Sequence, residues 1–424
     1  MILPALQKFY NALKHIKQFS LENSFFDNVG SIDIFLSEYR SVTLVLQTSL
    51  GGRTNPIYQK NLSEYLLKDE RIAKWLNEKR VTVVHQHPFS LKKVLRIVIY
   101  QDGNALEYKR FEQTIDNDKP LWDYQLLIRN TFSSVVFPEI NFSVQYIFVE
   151  KDDEDEINIF DLIDPGIIAM WRFLHAMKSD LSEEDDTVNK LMKEIDGMVI
   201  SKPQRWVFDA LDYCYYRTTD SFERGELATL LLPDVRTPVT SFVNIVKKTK
   251  APISDFYDAF IWMHSCMYIM QNHEIMNTFF IEYDDRTYQT ISFAATLRTT
   301  MYRYINRVAK IVSENNVVNV YLVTEMVSYT SPNMTKTELL QLNYREREKF
   351  RTKTLLTFYK ITATGDIIPV MFDANDLVNR LSISVALGRW KTSEKNDGTV
   401  VMLTPIVNSF TTKIKAISTK TYYN

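Results

Sequence analysis

The sequence predicts an α+β protein, predominantly helical, in which an N-terminal antiparallel helical bundle is followed by mixed α/β regions. Three observations predict it. Apolar residues recur at three- and four-residue steps through roughly the first 80 positions. Beyond Pro88 the period changes to that of strands. Glycine is scarce, 10 in 424 residues, which disfavours Gly-rich phosphate loops and tight all-β folds and favours long helices.

Residues 3 to 20 form the first expected helix, with Leu6, Phe9, Leu13 and Ile16 on one stripe and Pro4 in the first turn. A second helix is expected after Gly30, with Ser31 as its N-cap and Gly51-Gly52 as its stop. A third is expected from Tyr58 to Arg80, with Leu62, Leu66, Ala73 and Leu76 inward. Three long helices on short loops predict the antiparallel bundle.

Residues 94–100 and 105–115 read as strands joined at Asp102-Gly103, a hairpin signal. Residues 116–120 read as a loop, 122–132 as a helix and 140–150 as a strand. The acidic run 152–156 is the expected linker. Helices are expected over 159–177, then from Ser182 with Asp185 completing a capping box. Further helices are expected over 205–216, 223–232, 239–248, 255–271 and 297–313, and a short aromatic stretch at 279–283. Near the C-terminus, 317–330, 352–362, 367–372 and 399–403 read as strands, and 375–387 as a helix.

This divides the chain into residues 1–115, a helical bundle with a trailing hairpin; 116–200, a mixed α/β middle region; and 201–424, helical then α+β, with a sensing, regulatory or interaction role. Apolar residues make up 45% of the chain, enough to build large cores. A net charge of −2 supplies no global attraction for nucleic acid, so RNA contact needs a local basic patch. Two cysteines, Cys214 and Cys266, are too few for a disulfide framework, and a cytoplasmic protein is expected. No signal peptide and no membrane-spanning run are read in the sequence.

The densest chemistry lies at 77–89, where Arg80 precedes His85 by five residues and His87 by seven. On a helix, Arg80 and His87 share a face while Arg80 and His85 stand about 140° apart. On a strand both histidines point away from Arg80. The β-branched run 81–84 disfavours helix, and Pro88 stops one at His87. A neutral imidazole can take the proton of a ribose 2′-OH. A guanidinium can bind the phosphate and stabilise charge in the transition state. Lys79 offers a further phosphate contact, and Glu38 and Arg40 are polar groups placed to orient the site. The plainer reading pairs Arg80 with Glu78 or Asp69 and leaves the histidines capping a helix end. His85 and His87 would share a strand face as metal ligands, but no third ligand stands near, so neither metal nor cofactor is expected.

Arg80 with His85 or His87, after three short-looped helices, resembles the HEPN superfamily, whose ribonucleases carry an Arg-x4–6-His motif on a helical bundle. The resemblance covers about residues 1 to 90. It implies metal-independent RNA cleavage to a 2′,3′-cyclic phosphate, with half a site from each chain of a homodimer. It also implies an effector role of the toxin or anti-phage kind, with Arg80, His85 and His87 catalytic. Where the family often has a polar residue after the arginine, this chain has Val81. The alternative is a non-catalytic interaction or assembly protein whose bundle mediates dimerisation or docking to a protein partner.

Two other stretches stand out. Residues 344–353 alternate basic and other residues, so a strand there would align Arg345, Arg347, Lys349, Arg351 and Lys353 toward a nucleic-acid backbone. The plainer reading is a solvated face with internal ion pairs. Residues 262–267 hold His264 and Cys266 among large apolar neighbours and read as core, and His175 and His273 read as structural rather than catalytic. The anchors of P-loop ATPases, Rossmann dehydrogenases, α/β-hydrolases and zincins are absent from the sequence.

Overall fold

The computed structural model describes residues 1–20, 23–85, 88–115, 129–132, 135, 137, 139–150, 157–199, 211–217, 219–225, 229–230, 236–295, 297–335, 338–339, 342, 344–392 and 400–421. It is an α+β protein with two antiparallel sheets. The chain groups into two compact units, one of residues 1–96, 111–130 and 145–210, the other of 97–110, 131–144 and 211–424. The expected linker at 152–156 and the expected helix over 122–128 lie outside the described residues.

The first unit begins with α1 (Leu3–Ile16), whose Leu6, Phe9, Leu13 and Ile16 are fully buried against α2 (Phe25–Ser49). Helix α2 starts earlier than the sequence suggested. Ser24 caps it by accepting the Asp27 amide at 3.2 Å, so Gly30 and Ser31 lie inside it. Gly51, at φ +78°, follows its end in the left-handed conformation that favours glycine.

The expected third helix is broken in two. A short helix α3 (Pro56–Asn61) runs into a π turn (Leu62–Leu66), and α4 (Glu70–His85) begins afresh. The break has a local cause: Asp69 Oδ1 accepts the Ile72 amide at 3.2 Å, capping α4. Helix α5 (Phe160–Asp180) packs on α3, the π turn and α4, and α6 (Asp186–Val199) packs on α1. Asp185, not Ser182, caps α6, accepting from the Thr187 and Val188 amides at 2.7 and 3.1 Å. Ser182 instead adopts φ +49° before the helix.

Strands β1 (Leu91–Tyr100), β2 (Glu107–Thr114), β3 (Glu139–Glu150), β4 (Leu211–Tyr216) and β5 (Ser221–Arg224) form a sheet in the order β2-β1-β3-β4-β5. Residues 211–216, expected as part of a helix, are a strand whose side chains alternate between buried and half-buried, and residues 223–224, expected to open a helix, end β5. Asp212, Cys214 and Tyr216 are buried, while Leu211, Tyr213 and Tyr215 are half-buried. Asp212 pairs across from Ser143, and Cys214 from Asn141.

The second unit holds a larger sheet. It contains β6 (Thr229–Leu230), β7 (Thr237–Pro238), β8 (Asn277–Tyr283), β9 (Thr287–Phe293), β10 (Val317–Tyr329), β11 (Arg351–Thr362) and β12 (Ile367–Asp373), in the order β12-β11-β10-β8-β9-β6, with β7 on β9. Helices cover both faces, which is why its strands are apolar on both sides. Phe279, Ile281, Val320, Leu322 and Ile361 meet α9 (Arg298–Glu314) and Leu403, Ile406 and Phe410. Phe280, Tyr321, Val323, Leu356 and Phe358 meet α7 (Val239–Lys247) and α8 (Phe256–Met270).

Residues 344–347 form a one-turn helix, α10, so the expected strand begins only at Arg351. Residues 401–403 are a 3₁₀ turn rather than a strand, and α11 (Arg380–Thr392) starts later than the sequence suggested. Helix α12 (Thr404–Thr421) was not anticipated. No helix is long and apolar enough to cross a membrane among the described residues.

Candidate functional site

Helix α4 carries the motif. Its inner side holds Leu76, 5% exposed, and Trp75 meets Phe89 edge-on at 6.2 Å. Beyond Pro88 the Phe89 amide donates to Asp33 Oδ1 at 2.9 Å, which ties the exit of α4 to α2. The β-branched run 81–84 does not prevent the helix, which continues through His85. For Arg80 and His85 the helix backbone is described; His87 lies outside the described residues.

Ideal helix geometry puts Arg80 about 20° from Ala73 and about 60° from Asn77. It puts His85 about 140° from Arg80, in line with Lys74 and Glu78, an exposed pair at 3.9 Å. One copy of α4 therefore presents Arg80 and His85 on different faces.

Lys79, expected as a phosphate contact, holds Glu150 of β3 at 2.5 Å, both partly buried. Glu38 accepts from Lys8 Nζ at 3.1 Å and so faces α1. Arg40, two residues on, donates to Thr43 Oγ1 at 2.7 Å and lines a cleft.

That cleft was not legible in the sequence. It has a volume of about 770 Å³ and lies among α2, α3, the π turn, α4 and α5. Tyr39 closes its base: its hydroxyl donates to the Gly166 carbonyl at 2.8 Å, and burial pushes its phenol well above the usual pKa. Ala73 and Asn77 of α4 line the cleft.

The basic run 344–353 does not form one strand face. Arg347 is buried, 3.4 Å from Glu139 and 2.7 Å from the Leu342 carbonyl. Arg351 turns onto Thr354 Oγ1 at 2.9 and 2.6 Å, and Lys353 pairs with Asp373 at 3.2 Å. Lys349 is exposed on a 3₁₀ turn, and Arg345 lies in α10. The alternation arises across a helix, a turn and a strand, so sequence spacing does not carry over to one surface.

His264 lies in the core, 4% exposed, with Nδ1 at 2.8 Å from the Phe260 carbonyl. Burial lowers its pKa to about 4. Cys214 is 1% exposed, and burial pushes its thiol pKa well up, so it is no nucleophile at neutral pH. Among the described residues, no three His, Cys, Asp or Glu side chains gather as metal ligands. No family model, curated protein or solved structure matches the chain.

Proposed function

We propose that the chain is a HEPN-like, metal-independent endoribonuclease whose active site forms where two copies of α4 meet. In this reading the N-terminal helices act as the family's bundle. The enzyme serves as a cytoplasmic effector of a toxin or anti-phage system, and the later residues sense a trigger or a protein partner. One observation carries the reading: α4 stays helical through both Arg80 and His85, with the two on different faces. A single helix so arranged cannot aim both groups at one phosphate. Two facing copies can, with Arg80 of one protomer beside His85 or His87 of the other.

The histidine takes the proton of the ribose 2′-OH, and the 2′ oxygen attacks phosphorus. The P–O5′ bond breaks, the leaving 5′ oxygen takes a proton, and a 2′,3′-cyclic phosphate results. Arg80 stabilises the charge on the phosphoryl oxygens as it develops.

The test is RNA cleavage in EDTA by wild type, Arg80→Ala, and His85→Ala/His87→Ala. Both variants lose cleavage, and mixing them restores part of it, because each mixed dimer holds one intact composite site. Cleavage that survives either variant overturns the reading. Val81, exposed where the family favours a polar residue, supports a second reading in which the bundle only docks a partner. That reading predicts a dimer without cleavage.

A further inference from the structure

We propose that the cleft of the first unit binds a small organic anion with an apolar body. The inference goes beyond the ribonuclease reading and does not rest on it. Three observations converge.

The first is size and wall chemistry. At about 770 Å³ the cleft falls in the range of small-molecule sites, and its walls include Leu62, Leu66, Ile72 and Leu76.

The second is the π turn. Its closing bond runs from the Leu67 amide to the Leu62 carbonyl at 3.0 Å, and none of its residues is buried. The turn thus spends leucines on the cleft rather than on the core, and Leu67 beside it is 54% exposed. Such π insertions break regular helix bonding and recur at functional sites.

The third is charge. Arg40, Arg53 and Lys74 line the cleft with one carboxylate, Glu70, and Lys74 also pairs with Glu78 at 3.9 Å, which leaves the two arginines as the excess positive charge of the lining. The Arg53 guanidinium is exposed and meets the neutral Gln47 side-chain oxygen at 3.3 Å. Gln47 is in turn oriented by the buried Tyr58, its amide donating to the phenol oxygen at 2.6 Å. Apolar walls would take the body of the ligand, and Arg53 at the mouth its anionic group.

The test uses 8-anilinonaphthalene-1-sulfonate, an apolar body with one sulfonate, and its uncharged analogue N-phenyl-1-naphthylamine. Fluorescence titration of the full chain is expected to show one sulfonate probe per chain. Arg53→Glu, an exposed substitution that leaves the fold intact, weakens binding about tenfold or more. Ala73→Phe fills the cleft and removes binding while the melting transition persists. The uncharged analogue binds about tenfold more weakly. The proposal is overturned if the sulfonate fails to bind, if it binds Arg53→Glu as tightly as wild type, or if the uncharged analogue binds equally well.

Discussion

Arg303 grips Asp212 with two nitrogens, Nε at 3.1 Å from Oδ1 and Nη2 at 3.0 Å from Oδ2, and both side chains are sealed from solvent. A buried pair of this kind adds little over an apolar core, but breaking it strands a charge. Arg303→Met or Asp212→Leu alone should therefore cost about 3–5 kcal/mol in denaturant unfolding. The double replacement should cost clearly less than the sum of the two. Additive single costs would mean that the ions do not act as a pair.

His264 makes stability depend on pH. Its folded pKa, about 4, lies below its ordinary value of 6.5, so between those values the unfolded chain holds the extra proton. Stability is full above pH 6.5 and falls as the pH drops toward 4. At pH 5 the loss should be about 2 kcal/mol. His264→Phe keeps a ring against Phe280, 5.3 Å from the imidazole in the wild type, and removes the proton site. Urea midpoints at pH 7.5 and pH 5 should differ less in this variant than in the wild type. Equal differences would place the acid sensitivity elsewhere.

Gly166 lets α5 approach α4. A Cβ at this position would stand 2.6 Å from Leu76 Cδ1, inside contact distance. Gly166→Ala should cost about 1–3 kcal/mol through overpacking. Combined with Leu76→Ala it should cost less than the sum of the two single changes, since the clash disappears and the new methyl fills part of the cavity. Additive costs would mean that the contact is not the cause.

The parts of the fold legible in the sequence are those whose burial follows a local period. Leu6, Phe9 and Leu13 mark α1, and the apolar run at 94–100 marks β1, because each buries its own neighbours' stripe. Where burial depends on a distant partner, the local pattern misleads. Asp212 looks like a helix-surface acid, yet it is buried by Arg303, far along the chain, which makes 211–216 a strand. Helix α12 escaped notice because Ser and Thr dilute its stripe, although Ile406 and Phe410 complete the core under α9. The same limit holds for the sites. Arg80 and His85 declare themselves by spacing, whereas the cleft exists only because the expected 58–80 helix breaks at the π turn.

Lys79 sits beside Arg80 in sequence, but its amine holds Glu150 at 2.5 Å, with 21% and 17% of the two side chains exposed. It should therefore act on stability rather than on RNA. Lys79→Met and Glu150→Gln should each cost about 1–2 kcal/mol, above a surface pair and below a sealed one. Exchanging the two charges should recover part of the loss. The contrast with a phosphate contact is sharp: each such contact contributes about one unit to the slope of log affinity against log salt. If Lys79 is committed to Glu150, RNA bound by Lys79→Met should show the wild-type slope. A slope reduced by about one would mean that Lys79 leaves Glu150 for a phosphate when RNA arrives.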